Sequence, residues 1–86
     1  MNNQLYDLPT LLAALAFLMT RYGLYGSVEV AQGITNHLEM LLANAEVQQS
    51  PAARNTYELL LTQWRGIVHR HRVATRQTHC RAQRIH

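Results

Sequence analysis

Apolar residues recur along this chain at three- and four-residue intervals in three blocks, and nothing alternates at period two over a useful length. In the first block Leu8, Leu11, Leu12, Leu15, Leu18, Met19 and Tyr22 form one broad stripe. Asp7 as N-cap and Pro9 in the first turn, where a missing N–H costs little, predict a helix over about residues 8–22. The opposite side of this helix is also partly apolar, since Phe17 lies there with Ala13 and Ala14 among Thr10, Thr20 and Arg21. Such a helix needs covering on more than one side. Two further helices are expected to do this, the alternative being that Phe17 anchors a partner chain.

The stretch Tyr22-Gly23-Leu24-Tyr25-Gly26-Ser27 reads as a corner. Gly23 in the left-handed conformation would end the first helix, and Gly26 and Ser27 would open the second. Ser27 is a suitable cap, with Glu29 placed against the positive end of the helix dipole. The stripe Val30, Ala31, Ile34, Leu38, Leu41, Leu42 and Ala45 carries the second helix over about 27–46. Gly33 inside it costs about 1 kcal/mol relative to alanine, and is either simply tolerated or marks close approach of the first helix. Gln48-Gln49-Ser50 is the next loop, and Ser50-Pro51 is a cap followed by proline at the first helical position. Tyr57, Leu60, Leu61, Trp64, Ile67, Val68 and His71 then share one face of a third helix, over about 51–72. From Arg72 onward the apolar period dissolves, so 73–86 is either a disordered basic tail or a helix extension. The expected fold is all-α: a three-helix antiparallel bundle over 1–72 with a basic C-terminal tail.

Eighty-six residues make one small domain, of a size often stabilised by a partner. Leu11 to Met19, the most apolar run, is shorter than the roughly 20 residues that span a bilayer. Met1 to Leu8 has no basic residue and carries Asp7, unlike a signal peptide, and the single cysteine, Cys80, suits a reducing compartment. A cytoplasmic protein is expected. Charge is uneven: residues 1–64 hold two arginines against five acids, and residues 65–86 hold six arginines and no acid. Arg65, Arg70, Arg72, Arg76, Arg81 and Arg84 are therefore the candidate contacts for nucleic acid or another anionic partner, though such a run is more often a solvated segment.

Catalytic chemistry finds no support. His69 and His71, two apart on a helix, diverge by about 200° and cannot share one ion, so no metal site is expected. Cys80 lacks an oriented base, and the five acids are dispersed rather than paired. The glycine corner follows no strand and has no phosphate-loop lysine. No enzyme and no cofactor are expected.

The segment LLAALAFLMTRYGLYGSVEVAQGI, residues 11–34, resembles a tetratricopeptide-type helix pair. Small residues lie along its first helix, a Gly-x-Tyr element (Gly23, Tyr25) follows, and Ala31 falls early in its second helix. Among small proteins with such pairs it is most similar to the cytoplasmic co-chaperones of type III secretion needle subunits. The resemblance implies a helical hairpin plus a third helix, binding an aggregation-prone client helix in a groove, usually beside a second small helical chaperone. The proline expected soon after the second helix arrives late, at Pro51, and the basic tail has no counterpart in that family. Phe17, Leu24, Tyr25, Met40 and Leu59, large apolar residues off the internal stripes, are the candidate partner-binding residues. The partner would be a helical client, a co-chaperone or a second copy of the chain. The rival class is a small nucleic-acid-associated regulator using the arginine-rich segment.

Overall fold

The computed structural model describes residues 7 to 84, with side chains described for residues 7 to 77. It is all-α, with helices α1 (Leu8–Tyr25), α2 (Val28–Ala43), the single turn α3 (Ala45–Gln48) and α4 (Pro51–Arg84). The helix starts lie where their caps predict. The Asp7 carboxylate accepts from Thr10 N–H at 3.0 Å, the Ser27 hydroxyl from Val30 N–H at 3.2 Å, and the Ser50 hydroxyl from Ala53 N–H at 3.3 Å.

Two helix ends differ from the sequence expectation, and a third takes one of the two courses that the sequence leaves open. The first helix does not stop at Tyr22 with Gly23 as its left-handed residue. It continues to Tyr25, and Gly26 takes the left-handed conformation (φ 50°), its N–H closing onto the Tyr22 carbonyl at 2.8 Å. Either glycine could supply that conformation, and the one whose N–H caps the final turn does so. Gly23 and Tyr25 therefore belong to the last turn of α1, and the corner is Gly26-Ser27. The second helix does not run to residue 46. Asn44 leaves the helical region (ψ 135°), and its buried side chain accepts from Glu46 N–H at 2.9 Å and Val47 N–H at 3.4 Å. An asparagine that satisfies the next turn this way competes with helix continuation. The third helix, whose end the sequence leaves open between a tail and a helix extension from residue 73, runs on. Between Gly66 and the end of the described chain no glycine or proline interrupts it, and α4 continues to Arg84. Residues 85–86 of the expected tail lie outside the described residues.

α2 is the middle helix. Ala31, Ile34, Leu38 and Leu41 are wholly buried, with Leu11 and Leu15 from α1 on one side and Leu61 from α4 on the other. Val47 of α3 closes the end of this core. Leu12 and Ala45, assigned to stripes from the sequence, are exposed instead. The register of α2 against α4 is antiparallel: Arg72 donates to the Gln32 amide oxygen at 3.0 Å, and Arg65 pairs with Glu39 at 2.7 Å. The α1 and α4 backbones stay largely apart, and Tyr22 bridges them. Its ring meets Trp64 edge-on at 5.0 Å between centroids, and its hydroxyl shares a 2.7 Å hydrogen bond with His71 Nε2.

Candidate functional site

The five apolar residues singled out from the sequence do not make one surface. Met40 is half-buried and packs against the core, because α2 is covered on two sides by its neighbours. Leu59 is exposed, at 60 %, but on the side of α4 turned away from Leu61, Trp64 and Val68. Phe17, Leu24 and Tyr25 are exposed at 61, 70 and 70 % and share the second half of α1. The other helices do not cover Phe17, contrary to expectation. They pack only the stripe of α1 that carries Leu11 and Leu15, leaving the far side in solvent. Phe17 and Leu24 are seven residues apart, two turns on that far side, and Tyr25 lies at its margin.

Arg21 joins these residues. Its guanidinium carbon lies 5.8 Å from the Phe17 ring centroid and 5.4 Å from that of Tyr25, one turn to either side. Both distances fit a cation held against aromatic faces. The i, i+4, i+8 spacing of Phe17, Arg21 and Tyr25 is the sequence signal for this ridge, and it becomes visible once Tyr22 to Tyr25 belong to α1 rather than to the corner. Together the four side chains form a ridge with one fixed positive charge. By length and composition alone α1 is apolar enough to cross a membrane, and only about a tenth of it is buried.

The arginines of α4 divide by what they touch. Arg65 and Arg72 are tied across the seam to Glu39 and Gln32. Arg76 borders an open groove of about 820 Å³ with Glu29, Gln32, Asn36, His71 and Arg72. That groove holds a carboxylate as well as cations, so its charge is mixed. Arg70 lies on another side, beside Ile67 and Ala74. The side chains of Arg81 and Arg84 lie outside those described. His69 is exposed while His71 turns to Tyr22, so the two do not converge. Among the described residues no group of three His, Cys, Asp or Glu is placed to hold a metal ion.

Asp7, the N-cap of α1, has a lowered pKa. Hydrogen bonds from the Thr10 side chain and Thr10 N–H hold its carboxyl below the usual 3.8.

No family model, no curated protein and no solved structure matches the chain.

Proposed function

We propose that the chain is a small helical protein-binding module whose outer α1 face takes an amphipathic helix of a client protein. The observation that supports this is the joint exposure of Phe17, Leu24 and Tyr25 on one half of a helix whose other stripe is in the core. Three such side chains at these exposures offer about 300–500 Å² of apolar area, the range in which a surface patch on a small monomer is often functional. Recognition is then helix against helix, with the client covering residues that this chain alone cannot bury.

The narrower role is that of a cytoplasmic co-chaperone of a secretion needle subunit. It draws support from the α1–α2 hairpin and from the wholly buried Ala31, the small residue early in the second helix on which that resemblance rests. Affinity capture from native lysate tests the reading. A small helical protein retained at equal stoichiometry by the wild-type chain, lost with Phe17→Glu and kept with Leu59→Glu, is the expected result. Retention by Phe17→Glu refutes it.

One observation favours the rival nucleic-acid reading: the arginines lie on a single 34-residue helix. Against it, two of the six are already engaged with α2. A regulator would show binding that falls steeply with salt and is weakened on removing residues 78–86, which carry Arg81 and Arg84. A client-binding module would keep its partner after that truncation.

A further inference from the structure

Arg21 limits what can sit on the α1 ridge. It stands at the centre of the patch, between Phe17 and Tyr25 and one turn before Leu24. Among the described residues no carboxylate pairs with it, and α1 itself carries no acid. A helix laid along this ridge would remove the guanidinium from water together with the rings that flank it. A charge desolvated without a counter-charge is costly, so an occupant with only apolar residues there would bind poorly. A carboxylate opposite Arg21 would meet a planar donor already held in place by two aromatic faces.

Symmetry disfavours a second copy of the chain. In a two-fold interface the residue at the centre meets its own equivalent, so two α1 helices paired through this patch would bring one Arg21 guanidinium against the other. A head-to-tail contact between copies would need an acid within an apolar stripe on another exposed face. The nearest pattern in the chain is Glu58 beside Leu59, a single exposed large apolar residue rather than a stripe.

We propose that the occupant of the α1 ridge is an amphipathic helix of a different protein, with an aspartate or glutamate at the centre of its apolar stripe, facing Arg21. This rests on the protein-binding reading above and adds the chemistry of the partner.

The test uses the full chain and a displayed library of amphipathic helical peptides, with a fixed leucine stripe and one randomised position at its centre. Selection on the wild-type chain should enrich Asp and Glu at that position. Selection on Arg21→Glu should enrich Lys and Arg, and Phe17→Glu should enrich nothing. A Glu-bearing peptide so selected should bind Arg21→Glu at least about tenfold more weakly than wild type by fluorescence anisotropy. Arg21 and Phe17 are exposed, so both variants should stay folded, which circular dichroism melts would check. Enrichment that ignores residue 21 yet disappears with Phe17→Glu overturns the carboxylate requirement and leaves the protein-binding reading standing. Equal enrichment on Phe17→Glu removes both. Self-association of the wild-type chain in sedimentation, lost with Phe17→Glu, overturns the proposal in favour of a second copy. Binding to phosphatidylserine-containing vesicles, lost with the same variant, overturns it in favour of a membrane surface.

Discussion

The glycines of the α1–α2 region give opposite responses to the same substitution. Gly26 holds φ 50°, which an L side chain adopts at a cost of about 1 kcal/mol or more, so Gly26→Ala should destabilise the fold by roughly that amount. Gly23 is helical, with nothing within 4 Å of an added Cβ, so Gly23→Ala should stabilise by up to about 1 kcal/mol. Gly33 resolves the choice left open by its position. The Leu18 side chain lies 3.6 Å from where a Cβ would stand, an ordinary contact, so the first helix is near but does not demand glycine. Urea titration of Gly23→Ala and Gly26→Ala checks the two signs, and a stabilised Gly26→Ala would contradict the assigned corner. Tyr22→Phe keeps the edge contact with Trp64 and removes the bond to His71, an expected loss of about 0.5–1.5 kcal/mol in the same assay. The Asp7 cap should also fade in acid. Its folded pKa lies below the unfolded value, so its contribution is present above about pH 4 and is lost as pH falls through the depressed value. Wild type and Asp7→Ala should therefore converge in Tm at low pH and separate near neutrality.

At the scale of helices, the positions and buried faces were legible in the sequence, because each stripe has helical period and each start carries a cap. Tyr57, Leu60, Leu61, Trp64, Ile67, Val68 and His71 all lie on the inward side of α4, as their spacing requires. The ends were less legible, because stopping a helix depends on competition between neighbours rather than on periodicity. Gly23 and Gly26 are equivalent as residue types, and only the closing bond to Tyr22 separates them. Asn44 breaks α2 inside an unbroken apolar pattern because its side chain satisfies the following turn. The extension of α4 past residue 72 has no stripe to announce it. Of the candidate site, Phe17, Leu24 and Tyr25 were legible as surplus apolar residues. Met40 was not, because whether a flanking position is covered depends on how α2 sits between two neighbours. The α4 register also shows where the chain can be cut. Val68 is too early, since His71 holds Tyr22 and Arg72 holds Gln32. Truncation after Gln77 should leave the thermal midpoint nearly unchanged, whereas truncation after Val68 should lower it by several degrees, as differential scanning fluorimetry would show.

The molecule as a whole is elongated, 60 × 23 × 21 Å. Its long axis is set by α4, about 51 Å at 1.5 Å per residue. Because α2 carries the wholly buried side chains, its substitutions act on the entire fold. Leu38→Ala should cost about 2–5 kcal/mol and shift every spectroscopic probe together, while Leu59→Ala should shift none measurably. The central position of α2 also governs the order in which structure is lost. Helices adjacent in sequence are adjacent in space, and α1 is held by α2 with Tyr22 as its main link to α4. The α1 amides should thus exchange with deuterium through a partial opening that leaves α2 and α4 paired, at lower free energy than the α2 amides. That opening would bare the inner stripe of α1 along with its outer ridge, so a client that grips the ridge would also slow the earliest step of unfolding.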